Sequence, residues 1–249
     1  MRETLRIEIL GVPLDKVTLK QAVTKVEKML ESGKTRIIVT PNAEIIMAAQ
    51  KNPKLLQAIS QADLSLPDGI GVVIASRILG NPLPERIAGF DLMVEMLKIA
   101  ERYQLSVYLL GGKPGVAEKA AAAIKSKFPG VKIVGTHHGY FDEKEQEKIA
   151  DKINDVRPHF VFVGMGAPRQ ELFMTENKDK IHGSIMMGVG GSLDVLAGRV
   201  KRAPEWMQKT GFEWLYRLLQ EPSRIKRIAK LPLFLVKVAA MRGDKKLET

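Results

Sequence analysis

Short β-branched runs alternate with stretches of helical periodicity along most of the chain. Leu5–Leu10, Arg36–Thr40, Ser106–Leu110, Val131–Gly135, His159–Val163 and Ile185–Gly188 read as strands. A shorter extended piece, Ala62–Leu66, runs into Pro67-Asp68-Gly69. Apolar positions recurring every three to four residues predict helices between them. These cover Thr18–Ser32, stretches from Ala43 and after Pro53, Ile70–Leu79, Phe90–Tyr103, Gly115–Lys127, Glu143–Val156 and Arg169–Asn177. Strands separated by helices of this length make βαβ units and so a parallel sheet. The strands are almost purely apolar, as they must be when helices cover both faces. The expected fold class is α/β, a Rossmann-like, mostly parallel sheet flanked by helices, over residues 1–198.

From residue 199 the pattern changes. Glu205–Gln220 and Ser223–Met241 predict two amphipathic helices divided by Glu221-Pro222. The first carries Trp206, Met207, Trp214, Leu215, Leu218 and Leu219; the second sets Arg224, Lys226, Arg227 and Lys230 beside Ile225, Ile228 and Leu231. Such a pair predicts a C-terminal helical appendage, residues 199–249, that binds a membrane surface. Pro232 and Lys237 break its apolar run too early for a spanning helix. Glu205, Gln208 and Lys209 are polar for a membrane face.

Charge sharpens this division. From Arg199 onward there are 13 Lys and Arg against 5 Asp and Glu, so +8 of the formal net charge of +11 lies there and +3 elsewhere. A basic tail on a near-neutral body implies an anionic partner: phosphate, nucleic acid or an anionic membrane. Aromatic residues are only 6% and no nucleic-acid module is present, which argues against nucleic acid. Apolar residues at 45% and charged residues at 27% suit a globular chain that buries a core. The absence of cysteine excludes a thiol nucleophile and any Cys-based zinc site. The start, Met1 to Glu8, lacks the apolar core of a secretory signal, so a cytoplasmic location is expected, peripheral on the inner face of the membrane.

Small or polar clusters close nearly every strand: Thr40-Pro41-Asn42, Pro67-Asp68-Gly69, Gly111-Gly112, Gly164-Met165-Gly166 and Gly188-Val189-Gly190-Gly191. Open parallel sheets bind ligands outside the carboxyl ends of their strands, so these clusters should assemble the site. Gly111-Gly112-Lys113-Pro114-Gly115 follows a strand and opens a helix, which suits either a phosphate approaching backbone N–H groups or a plain tight turn. Two such glycine loops on one edge favour a nucleotide diphosphate. Asp194 then either holds ribose hydroxyls or caps a helix. Asp68 is either a turn aspartate or a general base held at the cleft. Thr40, Asn42 and Gln170 would add a hydroxyl and two amides, each of which could equally be a cap. His137-His138 with Asp142 is a poor metal site, because neighbours on a strand point to opposite sides. No Asp-X-Asp occurs. The charge on a leaving diphosphate then falls to helix N-termini and to arginines such as Arg86.

Several of these segments, taken in order, resemble the WecG/TagA/CpsF family of bacterial glycosyltransferases. They are Pro67-Asp68-Gly69-Ile70-Gly71, Arg86 with Gly89-Phe90-Asp91-Leu92, Gly111 to Gly115, His138-Gly139-Tyr140-Phe141, Gly164 to Glu171, and Arg202-Ala203-Pro204 with Glu213-Trp214-Leu215-Tyr216-Arg217. The resemblance spans nearly the whole chain and is strongest to the TagA branch. It implies an inverting, metal-independent enzyme that moves N-acetylmannosamine from UDP onto undecaprenyl-diphosphate-linked N-acetylglucosamine, a step in building the linkage unit of wall teichoic acid. It further implies that Asp68 is the general base and that Thr40, Asn42 and Gln170 orient donor or acceptor. The glycine loops (Gly111, Gly112, Pro114, Gly139, Gly166, Gly190 and Gly191) with Asp194 would hold UDP. Arg217, Arg224 and Arg227 match tail arginines that would close over the diphosphate when the tail docks at the membrane. No cofactor is expected, the UDP-sugar being a substrate. The expected partners are that donor, the lipid-linked acceptor and an anionic membrane surface; homo-oligomerisation is left open. Competing readings are a relative using UDP-N-acetylmannosaminuronate or UDP-glucose, a basic nucleic-acid-binding protein, and, least favoured, a nicotinamide oxidoreductase.

Overall fold

Six strands form one all-parallel sheet in the order β4-β3-β8-β7-β5-β6. They are β3 (Arg36–Val39), β4 (Leu64–Ser65), β5 (Ser106–Gly111), β6 (Lys132–His137), β7 (Phe160–Gly164) and β8 (Ile185–Gly188). The chain steps outward from β3 to β4 on one side and from β5 to β6 on the other, and β7 and β8 fill the middle. The computed structural model describes residues 5–220 and 230–247.

Alternation along each strand divides the core into two layers. On one face Ile37, Val39, Leu110, Val161, Val163 and Met186 pack against α2 (Ala43–Ala49), α3 (Pro53–Ser60), α7 (Glu143–Val156) and α8 (Arg169–Glu176). On the other, Ile38, Leu64, Val107, Leu109, Phe160, Phe162 and Met187 meet α1 (Leu19–Glu31), α5 (Gly89–Arg102), α6 (Val116–Lys127) and α9 (Ser192–Leu196). Both faces being covered explains why the strands read as unbroken apolar runs. The expected α/β fold is therefore present.

The first strand departs from expectation. β1 (Arg6–Ile9) does not join the parallel sheet but pairs antiparallel with β2 (Val12–Asp15), an element the periodicity did not reveal. Leu10 and Gly11 turn the corner with φ of 50° and 71°, as a two-residue hairpin turn with matching twist requires. Ile7, Ile9, Val12 and Leu14 face the first core layer. The helix α9 was also unforeseen; its five residues are too few for periodicity to show.

The end of the chain folds back onto the body. The expected helix Glu205–Gln220 is two helices, α10 (Glu205–Thr210) and α11 (Glu213–Gln220), parted at Gly211 with φ of 81°. Gly211 lies against Ile70, at the start of α4 (Ile70–Ile78). The last described helix, α12 (Lys230–Leu247), runs through Pro232 and Lys237 and packs on α2 and α4. Phe234 and Val238 are fully buried there among first-layer residues. Leu231 lies so close to Gly71 that a β-carbon on Gly71 would overlap it.

The amino edge of the sheet holds a charge cluster. Asp63 takes Arg36 Nη1 at 2.7 Å and Lys178 Nζ at 3.0 Å, and accepts the Ile37 N–H at 2.9 Å. Burial pushes its carboxyl up, but the Ile37 N–H and the two cations outweigh this and hold it below the ordinary 3.8. A carboxyl lowered on folding stabilises the protein above its unfolded pKa, and that contribution disappears as pH falls through the folded value. Asp63→Asn should therefore lower stability at neutral pH and flatten the acid limb of a denaturation curve followed by circular dichroism. An unchanged acid limb would contradict this.

Candidate active site

Since all six strands run the same way, their carboxyl ends meet on one edge, and five of the segments singled out in the sequence meet with them. At one end of this edge the β3 and β4 loops are tied together. Leu66 N–H donates to Val39 O at 2.9 Å, Asp68 N–H to Pro41 O at 3.2 Å, and Ile87 N–H to Pro67 O at 2.9 Å. Asp68 is half-buried just before Gly69, which begins α4 with φ of 87°. Asn42 Cβ lies 3.9 Å from where a Gly69 β-carbon would stand. Thr40 Oγ1 lies 3.0 Å from the corresponding position on Gly89, at the first turn of α5. Thr40, Asn42 and Asp68 are thus neighbours, as expected. Asn42 also caps α2, its Oδ1 accepting the Ile45 N–H at 3.0 Å, which leaves its amide nitrogen for other use.

The middle of the edge is built of glycine. Gly112 N–H donates to Gly164 O at 3.0 Å and Gly139 N–H to Gly112 O at 2.8 Å. A β-carbon on Gly164 would stand 2.8 Å from Gly190 O, one on Gly139 3.2 Å from Gly111 Cα, and one on Gly111 would overlap the Gly164 carbonyl. Backbone therefore packs on backbone across β6, β5, β7 and β8. Gly115, Gly166, Gly190 and Gly191 differ, for nothing lies within 4 Å of an added β-carbon. These glycines face open space. Gly115 precedes α6 and Gly191 precedes α9, and neither helix has a side-chain cap; Val116 N–H and Ser192 N–H turn back to Lys113 O and Val189 O, so it is the next N–H groups of each first turn that suit an anion. Pro114 stands exposed in the turn before α6.

Gln170 joins two of these loops. Buried at 4% exposure, its Oε1 accepts the N–H of Gly166 at 3.2 Å and of Gly190 at 3.0 Å. Its Nε2 donates to Glu171 Oε1 at 2.8 Å. Burial pushes the Glu171 carboxyl up, opposed by the Gln170 bond and its own backbone N–H. Asp194, in the first turn of α9, lies 3.8 Å from Arg199 Nε.

Two ion pairs fasten the segment after residue 198 to the loop before α5 and to the first turn of α5 itself. Arg86 Nη1 meets Glu213 Oε2 at 3.0 Å. Arg202 Nη2 meets Asp91 Oδ1 at 2.6 Å, its guanidinium lying 4.6 Å from the Phe90 ring centre. The sequence named Arg86 without its acidic partner, because a contact spanning 127 residues leaves no local signal. Arg217 stands in α11; Arg224 and Arg227 lie outside the described residues. His137 and His138 correct one expectation. Their rings approach to 4.5 Å rather than pointing apart, since β6 ends at His137 and the chain turns there. Asp142 caps α7, accepting the Glu145 N–H at 2.9 Å.

A Rossmann-like sheet with a carboxylate at one strand end and anion-ready glycine loops at the others suits group transfer from a nucleotide. Residues 7–247 match the model of the glycosyl transferase WecG/TagA/CpsF family, and the chain belongs to that family. It is 40% identical over 246 residues to the N-acetylglucosaminyldiphosphoundecaprenol N-acetyl-beta-D-mannosaminyltransferase of Staphylococcus aureus strain MW2, an alignment covering 98% of this chain and 96% of the relative. The enzymes of the same description from strains NCTC 8325 / PS 47 and MRSA252 match to the same extent.

The two kinds of glycine should respond differently to substitution. Gly164→Ala forces apart two packed backbones and should cost about 1–3 kcal/mol in chemical denaturation. Gly191→Ala meets only open space and should stay within about 0.5 kcal/mol of the unaltered protein. Equal costs would contradict the distinction.

Proposed function

We propose that this chain transfers N-acetylmannosamine from UDP-N-acetylmannosamine to undecaprenyl-diphosphate-linked N-acetylglucosamine, with inversion and without a metal ion, in making the linkage unit of wall teichoic acid. The observation that carries this reading is the arrangement of the carboxyl edge, with Asp68 beside Thr40 and Asn42 at one end and the open glycine loops at the other. The names of the relatives, which specify both the lipid-linked acceptor and the transferred sugar, support it.

In this reading Asp68 removes the proton from the acceptor's sugar hydroxyl as that oxygen attacks the anomeric carbon of the donor. The bond from that carbon to UDP breaks in the same step, and the anomeric configuration inverts. Thr40 and the free amide nitrogen of Asn42 orient the sugar beside the base. The negative charge developing on UDP is met by the N–H of Gly191 and by first-turn N–H groups of α6, while the Gly166 and Gly190 N–H groups, bonded to Gln170, hold their loops in place. Asp194 takes the ribose hydroxyls. The chain's lack of an Asp-X-Asp pair supports charge neutralisation by protein groups instead of a bound cation. Arg86 can contribute only by leaving or sharing Glu213.

The acceptor is a lipid, so the enzyme works at an anionic membrane surface. Trp206, Phe212, Leu219, Leu233 and Val236 are exposed on the segments that also carry the chain's basic surplus, which supports docking through this region. Among the described residues no helix is long and apolar enough to cross a membrane.

The test is UDP release from UDP-N-acetylmannosamine with the lipid-diphosphate acceptor in detergent and EDTA. Turnover should survive the chelator, and Asp68→Asn should lower kcat by about a hundredfold or more. Full activity in that variant would remove Asp68 as the base, and loss of turnover in EDTA would remove the metal-free mechanism.

A further inference from the structure

A buried carboxyl beside this edge has no part in the chemistry above. Glu171 is 2% exposed, and its Oε2 is buried without a hydrogen-bond partner. Burying such a group is unfavourable unless it secures something else. What it secures lies one residue back. Gln170 Oε1 accepts the N–H groups of Gly166 and Gly190, which belong to the loops after β7 and β8. A side-chain amide has two ends of similar size and opposite polarity. Were it reversed, an NH2 group would face two N–H donors and both bonds would become repulsions.

We propose that Glu171 is a positioning residue: by accepting from Gln170 Nε2 at 2.8 Å, it fixes the amide so that Gln170 Oε1 clamps the Gly166 and Gly190 loops at the spacing that the donor's diphosphate requires. The diphosphate part of this inference rests on the reading that these loops hold UDP. The chain leaves room for the clamp and brings the loops together around it. A β-carbon on Gly188 would stand 2.8 Å from Gln170 Nε2, and one on Gly164 would stand 2.8 Å from Gly190 O. Oε1 of Glu171 keeps a lone pair for the bond whether or not Oε2 carries a proton, so the clamp needs no charge.

The test uses the full chain in two ways: amide hydrogen exchange of the ligand-free protein by NMR, and UDP affinity by calorimetry. Glu171→Met keeps the side-chain volume and removes the acceptor. It should speed exchange at Gly166 and Gly190 and weaken UDP binding by about tenfold, the upper end for one hydrogen bond. Glu171→Gln retains an acceptor and should stay within about twofold of the unaltered protein. In a Gln170→Ala background, Glu171→Met should change neither reading further. Unaltered exchange at both glycines, or an added loss in the Gln170→Ala background, would overturn the proposal. Should Glu171→Met fail to fold, the unaltered chain decides, for a freely exchanging Gln170 side-chain amide would overturn it and a protected one would support it. Absence of UDP binding in the unaltered chain would defeat the donor reading alone, since the exchange measurements test the clamp without ligand.

Discussion

Parallel strands that end together force their connecting loops into a narrow space, and in this chain the space is narrow enough that backbone packs directly on backbone. Gly111 against Gly164 and Gly164 against Gly190 leave no room for a β-carbon, and Gly139 against Gly111 leaves little. The cost is loss of side-chain packing and a greater entropy loss on folding at each glycine. What results is a rigid floor of peptide groups across four strands, its Gly112 and Gly139 N–H groups spent on backbone carbonyls. Donors carried at the edge of so rigid a floor need no reorganisation when charge develops on a leaving group. The open glycines at 115, 166, 190 and 191 are the rim of that floor.

The second constraint is the attachment of the chain's end to the same edge. Arg86–Glu213 and Arg202–Asp91 bridge the loop before α5 and the first turn of α5 to the segment after residue 198, and Gly211 rests on Ile70, two residues from Asp68. Further along, Phe234 and Val238 complete the apolar layer over α2 and α4, the helices that begin beside Asn42 and Asp68. The C-terminal helix therefore bears on the elements that carry Asn42 and Asp68. A membrane surface engaging that helix would act on the same elements.

The strand runs and most helices were legible because sheet burial and helical amphipathicity are local patterns, and the strand-end clusters followed from them. Asp68, Thr40 and Asn42 could be placed together from sequence because each follows a strand that must end on the same edge. What escaped was of two kinds. The β1–β2 hairpin and α9 are short, and only the Leu10-Gly11 turn between alternating apolar residues hinted at the first. The Arg86–Glu213 and Arg202–Asp91 pairs join residues more than a hundred positions apart, so nothing local marks them. Gln170 was singled out as an amide near substrate, yet its oxygen is committed to two loop N–H groups. Its neighbour Glu171 passed as an ordinary helical glutamate until its burial was seen.

The central claim is that one edge of the sheet holds the nucleotide. The direct measurement is titration of the isotope-labelled chain with UDP, followed by amide chemical shifts. The account predicts shifts at Gly112, Gly115, Gly166, Gly190, Gly191 and Asp194, with none at Ile37, Asp63 or Lys178 on the opposite edge. Shifts confined to the opposite edge, or to the groove between α6 and β6 lined by Ala121, Lys125 and Val134, would contradict it.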